Sequence, residues 1–158
     1  LMGVPFEKIQ ETVRQFKPVE HRIEFVRERT GVRYYNDSKG TNPDAAIQAL
    51  RAMPGPVLLI AGGYDKNSNY DEWVKEFAGR VKYLVLIGKT RDKIAACAKK
   101  YGFTEIMYAE DLKEAVQVCA VYADTGDYVL LSPACASWDM FKKYEERGRV
   151  FKECVMAL

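Results

Sequence analysis

Four short segments of the chain collect the residue types that bind and orient anions. Asp37-Ser38-Lys39-Gly40-Thr41-Asn42, Gly62-Gly63-Tyr64-Asp65-Lys66, Gly88-Lys89-Thr90 and Ser132-Pro133-Ala134-Cys135-Ala136-Ser137 each follow an apolar run, and three of them contain a lysine. An ammonium group neutralises carboxylate or phosphate, while serine and threonine hydroxyls add directional bonds to the same groups. The chemistry favoured is recognition of an anionic substrate. Each residue also has an ordinary reading. A solvated surface charge is the better account of Lys89, whereas for Lys39 and Lys66, beside glycine at the end of an apolar run, solvation and binding stand level. Gly62-Gly63 allows a phosphate to approach the backbone, yet it lacks the G-x-G-x-x-G spacing and reads equally as a strand-exit turn. Asp37 fits a ligand for ribose hydroxyls, an orienting partner for Lys39, or an Asx turn. His21-Arg22 fits a nucleotide contact, although a lone histidine is more often structural. The Ser132–Ser137 stretch fits backbone N–H groups presented to an anion or tight turn packing, and Cys135 has no basic neighbour in sequence to activate it.

For these segments to act together they must leave one edge of one sheet, and the hydrophobic pattern supplies such a sheet. Phe6, Ile9, Val13 and Phe16 recur at helical spacing before Pro18, which predicts a short helix. Arg22 to Glu28 and Val32 to Asn36 flank Thr30-Gly31 and predict an antiparallel edge hairpin. Asn42 is a helix cap with Pro43 at the first position and Ala46, Ile47 and Leu50 facing inward. Strands are expected at Val57–Ala61, Tyr83–Ile87, Ile106–Tyr108 and Tyr128–Leu131. Helices are expected near Asp71–Ala78, at Arg91–Tyr101 and Asp111–Ala123, and from Asp139 to the end. Strands apolar on both faces, alternating with helices, call for a Rossmann-like three-layer α/β/α fold with a mostly parallel sheet and an antiparallel edge hairpin. In such a sheet ligands gather outside the carboxyl ends of the strands.

Composition removes several function classes. With 24 lysines and arginines against 22 acidic residues, the net charge of +2 provides no general field for nucleic acid or an anionic membrane. The four cysteines form no C-x-x-C pair and His21 is the only histidine, so a Cys/His metal site is not expected. No signal peptide or membrane-length apolar run is present, which points to the cytoplasm. No G-x-x-x-x-G-K-[ST] loop is present to cradle a nucleotide triphosphate.

Taken together and in order, Glu20-His21-Arg22-Ile23-Glu24, Asn36 to Asn42, Gly62-Gly63 with Asp65-Lys66, Leu130 to Ser137, and Phe141 through Tyr144-Glu145 to Arg147-Gly148 and Phe151 resemble the D-glutamate-adding branch of the Mur ligase family. The resemblance covers nearly the whole chain. It implies a carboxyl-terminal Rossmann-like domain of a three-domain enzyme, with residues 1–17 the tail of a central ATPase domain or a linker and residues 18–158 the carboxyl-terminal domain. The implied reaction is ATP phosphorylation of the carboxylate of UDP-N-acetylmuramoyl-L-alanine, followed by attack of the D-glutamate amine on the acyl phosphate. By the same resemblance Lys39, Thr41 and Lys66 contact D-glutamate or the reacting phosphate, with both lysines in the catalytic role. Ser38, Ser137, Trp138 and Tyr144 belong to the substrate-binding set, and His21, Arg22 and Asp37 meet the adenosine part of ATP. Mg2+ and its ligands are expected in the central domain, which also accounts for the absent P-loop. Gly40 stands where the family commonly has alanine, which suggests a looser loop, and Trp138 where it has phenylalanine or leucine. The alternative is a non-catalytic nucleotide- or anion-binding regulatory module of doubly wound fold.

Overall fold

Val57 to Ala61 and Tyr128 to Leu131 offer no charged position in either phase of a strand, so a sheet built on them needs cover on both faces. The computed structural model describes Pro5, Glu7, Lys8 and residues 19–158, and it provides that cover. Its elements are β1 (Glu24–Arg29), β2 (Val32–Asn36), α1 (Pro43–Arg51), β3 (Val57–Gly62), α2 (Asp71–Lys75), β4 (Val81–Ile87), α3 (Arg91–Lys100), β5 (Ile106–Tyr108), α4 (Leu112–Tyr122), β6 (Tyr128–Leu131) and α5 (Tyr144–Met156). The helix expected over Phe6–Phe16 and the domain boundary near residue 17 fall outside the described residues, apart from Glu7 and Lys8.

The six strands lie in the order β1-β2-β6-β3-β4-β5. Only β1 runs antiparallel to its neighbour; the other pairings are parallel. Side chains alternate between the two faces of a strand, and each face has its own core. Leu59, Ala61, Leu84, Leu86 and Leu130 pack against α1, α2 and α3 through Ala46, Leu50, Trp73, Val74, Ile94 and Ala98. Leu58, Ile60, Val85, Ile87, Val129 and Leu131 pack against α4 and α5 through Ala115, Val116, Cys119, Phe151 and Val155. The three-layer α/β/α arrangement with an antiparallel edge follows. Among the described residues no helix is long and apolar enough to cross a membrane.

Local signals explain where most elements begin and end. Thr30 and Gly31 have φ of 51° and 77°, the two positive values of a type I′ turn, and join β1 to β2. The Asn42 side chain accepts a hydrogen bond of 2.9 Å from the Ala45 N–H, which caps α1 behind Pro43. Asp111 caps α4 in the same way through the Glu114 N–H at 2.8 Å. Several boundaries differ from the sequence pattern, three of them for a clear local reason. β1 starts at Glu24 rather than Arg22, because His21 and Ile23 take φ of 65° and 46° and turn the chain first. α2 stops at Lys75 rather than Ala78, with Glu76 and Phe77 closing onto the Trp73 and Val74 carbonyls. The last helix starts at Tyr144, not Asp139, since Met140 and Phe141 donate to the Ser137 carbonyl and form a turn.

The strand order positions the site. β6 lies between β2 and β3, and the helix that follows it covers the opposite face from those that follow its neighbours. Asn36, Leu131 and Ile60 stand side by side at the carboxyl ends of these three strands. At such a switch point the exiting loops separate to opposite faces and leave a crevice.

Candidate functional site at the switch point

Asn36 and Asp37 turn the chain out of β2 into the first loop. Asp37 donates its N–H to the Leu131 carbonyl at 2.7 Å, Gly40 donates to the Asp37 carbonyl at 2.8 Å, and Lys39 donates to the His21 carbonyl at 3.0 Å. The Asp37 side chain is buried and accepts from the Ser132 hydroxyl at 2.8 Å and the Ile23 N–H at 3.2 Å. Burial pushes its carboxyl up to about 6, against the Ser132 and Ile23 hydrogen bonds and the positive charges of Arg22 and Arg147. The residue therefore staples the 21–23 turn and the β6 exit to the β2 exit. A positive φ at a β-branched residue such as Ile23 is strained, and the Asp37 bond helps to hold it. Gly40 is not loose: the Ala134 N–H donates to its carbonyl at 3.0 Å. Its missing Cβ leaves room for the Asp37 carboxylate, which a side chain at that position would strike.

The second loop leaves β3 through Gly62 and Gly63, with φ of 108° and 145°. Their N–H groups are engaged, Gly62 to the Pro133 carbonyl at 2.9 Å and Gly63 to the Thr90 hydroxyl at 2.9 Å. The pair is a strand-exit turn and presents no N–H to a phosphate. Past it, Asp65 pairs with Lys93 at 2.9 Å, and that ammonium holds the carboxyl below its ordinary value. Lys66 then reaches over the Trp138 ring, 4.7 Å from its centroid. The third loop, from β6, is buried from Ser132 to Ser137. Burial pushes the Cys135 thiol up, so it is a packed group beside the Tyr70 hydroxyl at 3.1 Å.

These loops and the start of α5 enclose a cleft of ≈ 340 Å³ lined by Thr41, Lys66, Ser137, Trp138 and Tyr144, together with Ala136, Lys143 and Glu145. Lys39 stands at its edge, 6.0 Å from the centroid of the Tyr144 ring. Among the described residues no carboxylate forms an ion pair with Lys39, Lys66 or Lys143. Three cations at one crevice, with hydroxyls from Thr41, Ser137 and Tyr144, suit a small molecule bearing more than one carboxylate. A depression of ≈ 370 Å³ outside β4 and β5 is slightly larger, but it sets Lys89 and Arg91 against Asp92, Glu110 and Asp139 and so has no excess of positive charge.

Several expected site residues occupy other places. Ser38 is fully buried; its hydroxyl donates to the Tyr144 carbonyl at 2.7 Å and accepts from Arg147 Nε at 3.0 Å. It stands behind the cleft wall instead of facing a ligand. His21 is buried too, its Nδ1 2.9 Å from Asn36 Nδ2 and its ring edge-on to Tyr144. Burial lowers its pKa, ahead of the opposing effect of Glu20. Arg22 beside it is exposed. Lys143, Glu145 and Arg147 were absent from the sequence-based set. The dense charge of Lys142 to Arg149 was the available signal, although it reads first as a solvated helix face. Arg147 is 1% exposed, and burial lowers its guanidinium to about 10. Among the described residues no group of three or more His, Cys, Asp or Glu is arranged to hold a metal ion.

The fold and this cleft define an open doubly wound α/β domain with a cationic cleft at its switch point. Comparison with known proteins gives the class a family. Residues 21–135 match the family model "Mur ligase, glutamate ligase domain". UDP-N-acetylmuramoylalanine–D-glutamate ligase of Lachnoclostridium phytofermentans is 59% identical over 99% of the chain, and the protein of that name from Thermoanaerobacter pseudethanolicus is 57% identical over 100% of it. The chain covers 35% of each of these relatives, about a third of their length. Among solved structures, UDP-N-acetylmuramate-alanine ligase from Thermotoga maritima superposes with a TM-score of 0.68 at 16% identity, over 99% of this chain and 34% of that one. The bifunctional folylpolyglutamate synthase/dihydrofolate synthase of Yersinia pestis gives 0.66 at 17%, over 99% and 36%. These structural likenesses establish the fold. The chain belongs to the Mur ligase family and comprises its glutamate ligase domain.

Proposed function

We propose that this chain is the carboxyl-terminal domain of a cytoplasmic, ATP-dependent ligase that joins D-glutamate to UDP-N-acetylmuramoyl-L-alanine in peptidoglycan precursor synthesis, and that the switch-point cleft receives D-glutamate. The observation that carries this reading is the cleft itself: ammonium groups with no carboxylate partner among the described residues share one crevice with hydroxyls, and relatives at 57% and 59% identity bear the name of that ligase. The other two domains, the UDP-precursor and most of the ATP site belong to the rest of that protein. So do the ligands of Mg2+, as the family resemblance implies.

On this reading Lys66, Thr41 and Ser137 hold the carboxylates of D-glutamate against the floor of the cleft, with Tyr144 and Trp138 as its walls. Lys39 projects from the rim toward the acyl phosphate. Attack of the amine builds negative charge on the tetrahedral intermediate, and ammonium groups already in place stabilise it without reorganisation. Closure of the domains brings amine and acyl phosphate together. Of the nucleotide-facing set, exposed Arg22 supplies the direct contact, while His21 and Asp37 shape the turn that presents it.

The test is D-glutamate-dependent phosphate release by the full-length protein containing this domain. Lys39→Ala and Lys66→Ala are each expected to lower kcat/KM by about a hundredfold or more. Unchanged turnover in both variants refutes the assigned roles. No observation specifically favours the regulatory-module alternative.

A further inference from the structure

The cleft rests on a buried cation that the reading above does not use. Arg147 Nε donates to the Ser38 hydroxyl at 3.0 Å, Nη2 to the Ser38 carbonyl at 2.8 Å, and Nη1 to the Cys135 carbonyl at 3.1 Å. The loop leaving β3 also lies against it, since a Cβ on Gly63 would sit 3.4 Å from Nη1. One guanidinium on α5 thus underlies the exits of β2, β3 and β6. Among the described residues no carboxylate forms an ion pair with it; Asp37 and Asp139 act only at longer range. A charge removed from water without a counter-charge is unfavourable and needs a compensating reason for being there.

We propose that Arg147 is a positioning residue for the amino-acid site, a buried clamp that fixes the loop bearing Lys39 and Thr41 against the loop bearing Ser137. The Ser38 hydroxyl is the centre of the clamp: it accepts from Arg147 and donates to the carbonyl of Tyr144, so its loop is tied to the first turn of α5 through one atom, while Arg147 Nη1 holds the other loop at the Cys135 carbonyl. Lysine cannot substitute, because a single ammonium on a flexible stem does not reproduce the planar fork that spans two loops. The buried positive charge also adds to the field in which an anionic substrate sits.

This inference rests on the D-glutamate reading of the cleft, and the experiment separates the two. In the full-length protein, KM is measured for D-glutamate and for ATP in the parent, Arg147→Lys and Ser38→Ala. A third readout is trapping of the activated precursor carboxylate by hydroxylamine without D-glutamate. Both variants are expected to raise the KM for D-glutamate about tenfold or more, with the KM for ATP within about twofold of the parent and trapping retained. A purely structural role would lower the melting temperature and leave that KM in place. If Arg147→Lys does not fold, Ser38→Ala decides the question, since it removes one oxygen and little volume. A folded Ser38→Ala variant with a parental KM for D-glutamate overturns the clamp. A parent that releases no phosphate on addition of D-glutamate overturns the functional reading and the clamp with it.

Discussion

Replacing Asp37 by asparagine should abolish one specific dependence of stability on pH. The carboxyl is pushed to about 6 in the folded chain from an ordinary value of 3.8. The folded state therefore keeps a proton that the unfolded state loses between those two values. Stability contributed by this group is greatest below 3.8, declines as pH rises through the interval and levels off above 6. The full difference corresponds to about 3 kcal/mol, of which about 2 kcal/mol falls between pH 4.5 and 8. Other carboxylates, such as Asp65, Asp71 and Glu76, are held below their ordinary values by cations and gain stability over a lower pH range, but they are common to parent and variant. Asparagine keeps an oxygen for the Ile23 N–H and turns an amide toward Ser132, whose hydroxyl can reverse to accept; any change in those bonds shifts both ends of the curve alike. Urea denaturation of both proteins at intervals from pH 4.5 to 8 is the assay. Asp37→Asn should gain about 2 kcal/mol on the parent across that range. Parallel curves, differing by less than about 0.5 kcal/mol in their pH dependence, would refute the argument that burial governs this group.

Other perturbations test different links. Gly62→Ala should destabilise the chain by about 3 kcal/mol or prevent folding, because φ is 108° and the new Cβ would strike the Ile87 carbonyl; thermal melting measures it. Asn42→Ala removes the bond to the Ala45 N–H and should cost about 1 kcal/mol in a urea titration. Trp138 is 61% exposed, so Trp138→Ala should leave the melting temperature nearly unchanged. Removing the ring beneath Lys66 should nonetheless raise the KM for D-glutamate severalfold in the full-length protein.

The sequence by itself determined the layers, the alternation of strand and helix, the edge hairpin and the loops that leave the strand ends. Those features follow from local periodicity, from caps such as Asn42-Pro43 and from the Thr30-Gly31 turn, all of which act over a few residues. It also brought forward the loops that carry Thr41, Lys66 and Ser137, because loops at the carboxyl ends of parallel strands must face the same side, and the family resemblance singled out those three residues within them. Only the tertiary structure decided the strand order, which puts β6 between β2 and β3 and so chooses which loops share a crevice. It placed Lys66 at the cleft and Lys89 beside the neighbouring depression, and took Ser38 and Asp37 out of the cleft wall into buried hydrogen bonds. The same holds for Arg147, whose partners lie 109 and 12 residues away along the chain. A hydroxyl or a guanidinium has the same composition whether it meets solvent, substrate or the protein interior; what distinguishes these outcomes is the set of distant backbone groups that packing brings within hydrogen-bond reach.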